Sequence, residues 1–134
     1  MCGFVGFLDH LPNKSEVIEA MKDAIVHRGP DSDGTYMDDD IALGFRRLSI
    51  IDLNAGDQPI YNEDGTMLIM FNGEIYNYQI LREELLGKGY HFKTESDTEV
   101  LLHAYEEYGT DMLIKLRGMF AFVIWDIPNK KLFM

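Results

Sequence analysis

Three apolar runs limit most strongly what this 134-residue chain can fold into. They are CGFVGFL at 2–8, TMLIMF at 66–71 and MFAFVIWDI at 119–127. Each has the length of one strand, and a strand that is apolar at successive positions is buried on both faces. Patterns typical of helices separate the runs, so the sequence predicts a layered α+β fold with sheets inside and helices outside.

The helices are predicted from apolar periodicity and from capping residues. They cover residues 15–26, 77–87, 96–109 and, as a shorter helix, 110–118. Ser15 is predicted to cap the first helix. Ser96 and Glu99 form a capping box at the start of the third helix, which Gly109 is placed to end.

Turn-forming residues separate the remaining elements. HRGPDSDG at 27–34 is predicted to be a loop. Two strands are predicted after it, near 34–38 and 41–48. NEDG at 62–65 is typical of a hairpin turn, and PNKK at 128–131 is a second turn before a further strand at 132–134. Because the chain stops inside this hairpin, the sequence predicts a fragment whose C-terminal part is missing.

Charge and cysteine content exclude several classes of function. The net charge is −11, so neither nucleic acid nor an anionic membrane is expected as the main partner, because both bind clustered Lys and Arg. The start, MCGFVGFLDH, has no basic segment and its apolar run is broken by Asp9, so it is neither a signal peptide nor a membrane span. A single cysteine cannot form an intrachain disulfide, which favours the cytoplasm.

That single cysteine, Cys2, has the chemistry of a catalytic nucleophile. If Met1 is removed, Cys2 carries both a thiol and a free α-amino group, which is partly neutral at physiological pH and can accept the thiol proton. One residue then supplies nucleophile and base. The alternative is that Cys2 is simply the second residue of a buried strand.

Three other motifs offer groups that such chemistry needs. Asn72 and Gly73, in FNGEIYN, supply a side-chain amide and a backbone N–H for an oxyanion hole, or else form a turn. Arg46 and Arg47, in GFRRLSI, offer a guanidinium that binds a carboxylate in bidentate fashion, or else a surface charge. Asp97 lies in the first turn of a predicted helix, where it holds a substrate ammonium or only interacts favourably with the helix dipole.

No metal site is predicted. The four histidines lack the close spacing of metal ligands. The aspartates at 38–40 lack the pattern of a calcium-binding loop, and the chain contains no glycine-rich phosphate-binding motif.

Seven motifs occur in an order and spacing that cover nearly the whole chain. They are MCG, HRGPDSDG, GFRRLSIIDL, QPIYNEDG, FNGEIYN, SDTEVLLHAYEEYG and LRGMFAFVIWD. Together they resemble the glutaminase domain of glutamine-dependent asparagine synthetases, which are class II, or N-terminal nucleophile, glutamine amidotransferases. The HRGPD and RLSIIDL segments favour this branch over the sugar-phosphate and purine-pathway members.

The resemblance assigns a role to each matching residue. Cys2 matches the nucleophile, and Asn72 with Gly73 matches the oxyanion hole. Arg47, chosen over Arg46 because of the Leu-Ser that follows it, matches the arginine that binds the glutamine α-carboxylate. The other substrate-binding positions are Leu48, Ser49, Ile50, Glu74 near the substrate amino group, and Asp97 on the α-ammonium. Arg28 has a weaker case, as a residue that orders its loop.

The resemblance also implies a fold and a reaction. The fold is of the N-terminal-nucleophile hydrolase type, a four-layer sandwich of two mainly antiparallel sheets between helices. Residues 1–134 would form a glutaminase domain that hydrolyses L-glutamine to glutamate and ammonia without a cofactor. In the full-length enzyme the ammonia would pass to a synthetase domain, absent here, that uses ATP and Mg²⁺ to make asparagine from aspartate. A homodimer is one candidate assembly.

Two alternatives stay open. The chain is the glutaminase domain of another class II branch, or, if Met1 is retained, it binds glutamine without turnover. The second alternative follows because an acylated amine is not a base.

Overall fold

The computed structural model describes residues 2–49 and 56–134. The predicted site residue Ile50 lies outside these ranges, as does Met1. The described chain divides into two compact units, one formed by residues up to Pro59 together with Met70–Asn72, the other by Ile60–Ile69 together with Gly73–Met134.

The first unit contains a three-stranded sheet in the order β1-β3-β2. Its strands are β1 (Gly3–Leu8), β2 (Ser32–Met37) and β3 (Ile41–Arg47). Both outer strands pair with β3 in antiparallel fashion, with Gly3 opposite Arg46 and Ser32 opposite Arg47. The central position of β3 explains why residues 41–45 are all buried. The register also sets the start of β1 beside the end of β3.

Helix α1 (Lys14–Ala24) packs on β3 at Gly44. A Cβ atom at Gly44 would lie 2.6 Å from Cγ of Lys22 and 3.3 Å from Cγ1 of Ile18, so the glycine lets the helix approach the strand closely. Ile18 is buried, and the buried Lys22 forms ion pairs with acidic side chains of α1 and β2. A 3₁₀ turn (Val26–Arg28) follows and leads the chain towards β2.

The second sheet has the strand order β4-β5-β6-β7. Its strands are β4 (Ile60–Tyr61), β5 (Met67–Ile75), β6 (Gly118–Asp126) and β7 (Lys131–Phe133). β4 pairs with β5, and β7 with β6, in antiparallel fashion. The second and third apolar runs lie in the two central strands, where residues 68–71 and 122–126 are buried. The start of the third run is not covered on both faces, since Met119 is 67% exposed.

Two helices and a 3₁₀ segment complete the second unit. They are α2 (Tyr78–Gly87), α3 (Asp97–Tyr108) and the 3₁₀ helix Gly109–Lys115. Glu84 of α2 accepts hydrogen bonds from the Tyr108 hydroxyl and, at 3.0 Å, from the Lys115 ammonium. Lys115 also lies 4.5 Å above the Tyr108 ring, so charge and aromatic contacts join the three helices. Among the helices of the described ranges, none is long and apolar enough to cross a membrane.

The α+β class is confirmed, whereas the first apolar run and several element boundaries differ from the prediction. The first run is not buried on both faces: within β1 only Gly3 is buried, and Leu8 is 57% exposed. β2 begins at Ser32, inside the predicted loop 27–34. The predicted short helix at 110–118 is a 3₁₀ helix, and β4 has no counterpart in the prediction.

The predicted helix caps are partly correct. The prediction for Ser15 is wrong, because α1 begins at Lys14 and its N-cap position is Asn13. At α3 the Ser96 hydroxyl accepts the Glu99 N–H at 3.3 Å, as expected. The Glu99 carboxylate does not complete the capping box. It accepts N–H groups of Lys93 and Thr94 at 2.8 and 2.7 Å, so it orders the loop before the helix.

Candidate active site

Cys2 lies immediately before β1 and is half-buried. The Leu48 N–H donates to its sulfur at 3.4 Å, and the thiol lies 3.8 Å from the Leu48 carbonyl oxygen. The strand register brings these residues to one end of the sheet: since Gly3 pairs with Arg46, Cys2 and Arg47 come next on the two strands, and Leu48 follows Arg47 directly. The predicted nucleophile is therefore fixed against the first residue beyond β3.

Arg28 holds the backbone of Cys2. Its Nε donates to the Cys2 carbonyl oxygen at 3.0 Å. Gly3 makes room for this contact, because a Cβ atom there would lie 3.1 Å from both Cδ and Nε of Arg28 and 3.3 Å from Ile25. From the sequence alone the case for Arg28 is weak, and the signal that strengthens it is the small residue directly after Cys2, Gly3.

The HRGPD segment fixes the backbone of Arg47 at the end of β3. The Asp31 N–H donates to the Arg47 carbonyl oxygen at 3.1 Å. Gly29 packs against the Arg46–Arg47 peptide: a Cβ atom there would lie 2.5 Å from the Arg46 carbonyl carbon and from the Arg47 nitrogen. Only glycine permits this approach, so the motif acts on Arg47 through main-chain packing.

The two consecutive arginines have different surroundings. Arg46 faces α1, where its Nε donates to the Lys22 carbonyl at 3.2 Å and its Nη2 to Asp23 at 2.7 Å. Arg47 is buried, and its Nη1 donates to Asp57 at 3.1 Å. These surroundings favour Arg47, as the sequence predicts, as the residue that binds a carboxylate; its role stays a prediction.

Arg47 also lines an open cleft of about 440 Å³. The other lining residues are Asp31, Ser32, Ser49 and Asp57. The Ser49 N–H donates to the Asp31 carboxylate at 2.6 Å, so the segment after β3 is fastened to the HRGPD loop. Cys2 does not line this cleft, although it contacts Leu48, the residue between Arg47 and Ser49.

Asn72 and Gly73 lie within β5, so the alternative that they form a turn is wrong. Asn72 is half-buried. Gly73 has φ +146°, and a Cβ atom there would lie 2.3 Å from the Met119 carbonyl oxygen. The glycine therefore has a packing role on β6, whether or not its N–H also binds an oxyanion.

Asp97 is the first residue of α3, and its carboxylate accepts the Ile75 N–H at 3.0 Å. Burial raises the pKa of the Asp97 carboxyl and the nearby Glu74 carboxylate raises it further, while hydrogen bonds from the N–H groups of Ile75 and Thr98 act in the opposite direction. Two neighbouring carboxylates form a negatively charged region, which suits an ammonium group.

The predicted site residues fall into two sets by unit. The first unit holds Cys2, Arg47, Leu48, Ser49 and Asn72, and the second holds Gly73, Glu74 and Asp97. Asp31 and Asp57 were not predicted. Asp31 belongs to the HRGPD motif, whereas Asp57 lies in no motif that signals a role. Within residues 2–49 and 56–134, no three His, Cys, Asp or Glu side chains are grouped so that they could hold a metal ion.

Sequence comparison gives a family and close relatives. The family model for a glutamine amidotransferase domain matches residues 1–134. Glutamine-hydrolyzing asparagine synthetase 1 of Bacillus subtilis strain 168 is 56% identical over 131 residues, covering 94% of this chain and 21% of that protein. Asparagine synthetase B of Escherichia coli K12 is 46% identical over 132 residues, covering 94% and 23%. The predicted similarity to asparagine synthetases is confirmed, and the chain spans about a fifth of the length of these curated relatives.

Comparison with solved structures supports the fold. A glutamine phosphoribosylpyrophosphate amidotransferase from Bacillus subtilis, complexed with ADP and GMP, matches with a TM-score of 0.76 and 21% identity, covering 94% of this chain and 35% of that one. At this identity the likeness concerns the fold alone, and it confirms the predicted N-terminal-nucleophile fold class. Because the family model matches the whole length, the chain belongs to the glutamine amidotransferase domain family.

Proposed function

We propose that this chain hydrolyses the side-chain amide of L-glutamine to glutamate and ammonia, with Cys2 as the nucleophile. One observation carries the proposal: the Leu48 N–H holds the Cys2 sulfur at 3.4 Å, at the end of the β1–β3 pair where the buried Arg47 directly precedes Leu48. The proposed nucleophile thus contacts the residue next in sequence to the arginine that is proposed to bind a carboxylate. This is the combination that catalysis on the side chain of an amino acid needs.

The proposed reaction has two stages. The Cys2 thiol proton passes to the α-amino group, directly or through a water, and the sulfur attacks the amide carbon. The Asn72 amide and the Gly73 N–H stabilise the oxyanion of the tetrahedral intermediate. The carbon–nitrogen bond then breaks, ammonia leaves with the relayed proton, and a water hydrolyses the thioester to glutamate. The step requires that Cys2 be the first residue, so Met1 must be removed.

Substrate binding in this proposal depends on charge complementarity. Arg47 binds the α-carboxylate through two parallel hydrogen bonds. The roles of Glu74 and Asp97 on the α-ammonium come from the resemblance, and the raised pKa of the Asp97 carboxyl supports them, because a cation relieves the cost of ionising a buried carboxylate beside a second one. Backbone groups of Leu48, Ser49 and Ile50 complete the proposed pocket.

The activity of the whole protein is a further part of the proposal. We propose that the ammonia passes to a synthetase domain that makes asparagine from aspartate with ATP and Mg²⁺, as the family resemblance implies, while the glutaminase step itself uses protein groups only. The names of the relatives, glutamine-hydrolyzing asparagine synthetases, support the use of glutamine for asparagine synthesis. We propose a cytoplasmic location, because a chain with a single cysteine, which forms no intrachain disulfide, fits a reducing compartment. A net charge of −11 argues against nucleic acid and anionic membranes as partners, and a homodimer is a candidate assembly.

Ammonia release from L-glutamine, measured together with the intact mass of the protein, tests the proposal. The active protein should be one methionine residue lighter than the printed sequence. A processed Cys2→Ala variant should bind glutamine and release no ammonia. Ammonia release by that variant would overturn the assignment of the nucleophile, and no release by a processed wild-type protein would overturn the proposed function.

A further inference from the structure

Asp57 places a carboxylate of the protein on the guanidinium of Arg47. The Nη1–Oδ1 distance is 3.1 Å, with the Arg47 side chain 10% exposed and the Asp57 side chain 86% exposed. Both residues line the same open cleft. The group that is proposed to bind the substrate α-carboxylate therefore already holds a carboxylate, on a face that a ligand can reach.

The residues on either side of Asp57 set its position. Gly56 has φ +133°, and a Cβ atom there would lie 3.0 Å from Nη2 and 3.3 Å from Cζ of Arg47, so its backbone lies against the guanidinium. Gln58 is fastened to β5, because its side-chain oxygen accepts the Phe71 N–H at 2.5 Å and its amide donates to the Phe71 carbonyl at 3.1 Å. The segment is thus held at Arg47 while the Asp57 side chain itself stays in solvent.

We propose that Asp57 is an internal competitor for the carboxylate site of Arg47 and so sets the affinity for the substrate. The inference rests on the proposed function, since it requires Arg47 to bind the α-carboxylate. A guanidinium binds a carboxylate best through two parallel N–H groups. An incoming carboxylate either displaces Asp57 from Nη1 or binds beside it against like-charge repulsion, and both routes weaken binding. Because the Asp57 side chain is exposed, its release into water costs little.

The Asp57→Asn variant tests this role with substrates that do and do not carry the α-carboxylate. The variant removes the negative charge and keeps the side-chain shape. The KM for L-glutamine should fall about two- to fivefold, the range expected of an exposed ion pair, with kcat unchanged. The KM for the α-methyl ester of L-glutamine should not change, because the ester has no carboxylate to compete. Asp57→Glu, which keeps the charge, should behave like the wild type.

Asp23 offers a matched control on the neighbouring arginine. It is 75% exposed and pairs with Arg46 at 2.7 Å, so Asp23→Asn also removes an exposed Asp–Arg pair of β3. Its KM for L-glutamine should stay at the wild-type value. An unchanged or raised KM in Asp57→Asn, or an equal fall for the ester, would overturn the inference while ammonia release by the wild type upholds the proposed function. A wild type that releases no ammonia would overturn the proposed function and the inference with it.

Discussion

Arg28 Nε lies 3.0 Å from the carbonyl oxygen of Cys2. This hydrogen bond fixes the peptide that carries the proposed nucleophile, while Leu48 fixes its sulfur. The two parts of Cys2 are thus held by two different segments. Arg28, in the 3₁₀ turn Val26–Arg28, holds the backbone, and Leu48, the first residue after β3, holds the sulfur. An N-terminal residue would otherwise be among the least ordered in the chain.

The first prediction concerns Arg28→Met, which removes the donor and keeps an unbranched side chain. We expect kcat for ammonia release to fall about tenfold with little change in KM, because a charge-assisted hydrogen bond that orients the nucleophile is lost. Steady-state kinetics measure both constants. Arg117 also donates to backbone carbonyls, those of Ile114 and Leu116, so Arg117→Met is the matched control and should keep wild-type kinetics. A raised KM with an unchanged kcat would place Arg28 in substrate binding instead.

The second prediction concerns Asn72→Ala. If the amide stabilises the tetrahedral intermediate, kcat should fall by about 10²–10³ while the affinity for glutamine is kept. Asn129, whose backbone N–H and side-chain amide donate to the carboxylate of Asp126 at the end of β6, provides an asparagine for the control variant Asn129→Ala. Single-turnover ammonia release measures the chemical step. A twofold change in Asn72→Ala would remove this residue from the oxyanion hole.

The sequence predicts the elements and the motif residues better than it predicts the contacts between them. The apolar runs identify the two central strands of the second sheet because burial on both faces leaves a direct compositional signal. The burial of Lys22, by contrast, leaves no such signal in the composition. Its periodic position on α1 faces β3, yet it is a charged residue, and only the ion pairs with Glu19 and Asp33 make its burial tolerable.

In the candidate site too, residues that lie in motifs are predicted from the sequence and contacts between segments are not. Arg47 is recognisable because it lies in a motif, whereas Asp57 is one exposed aspartate among many acidic residues. Its contact with Arg47 spans ten positions of sequence and depends on the conformation of Gly56, which periodicity cannot predict. The sequence makes only a weak case for Arg28 for a related reason: its partner is a backbone carbonyl, and every residue has one.

The third prediction separates the packing role of Gly73 from any catalytic role. Gly73→Ala should lower the free energy of unfolding by about 1–3 kcal/mol, because the new Cβ would meet the Met119 carbonyl at 2.3 Å and the strand must shift. Gly65 also has a positive φ, +71°, but no atom lies within 4 Å of a Cβ there, so Gly65→Ala measures the cost of a left-handed backbone without a clash, about 1–2 kcal/mol. Urea unfolding measures both variants. An equal loss in the two would show that β6 relaxes around the added methyl group.

The fourth prediction concerns the pH dependence of stability at Asp97. Burial, and then the Glu74 carboxylate, raise the pKa of the folded-state carboxyl above its unfolded value of about 3.9. The folded protein therefore binds this proton more tightly. The resulting stabilisation is complete below the unfolded pKa and is lost as pH rises through the raised folded pKa. Asp97→Asn resembles the protonated form and can still accept the Ile75 N–H.

We therefore expect Asp97→Asn to match the wild-type urea midpoint at a pH below the pKa that the Asp97 carboxyl has in the unfolded chain. At neutral pH the variant should be the more stable protein, because the wild type then ionises a half-buried carboxylate without a bound cation. Asp111, an exposed aspartate at the start of the 3₁₀ helix, gives the control Asp111→Asn, which should show no such gain. A lower midpoint for Asp97→Asn at neutral pH would mean that the helix terminus and the Ile75 and Thr98 N–H groups stabilise the charge by more than burial and Glu74 oppose it. The proposed affinity of Asp97 for an ammonium group would then lose its physical basis, because an already stabilised carboxylate gains less from a cation.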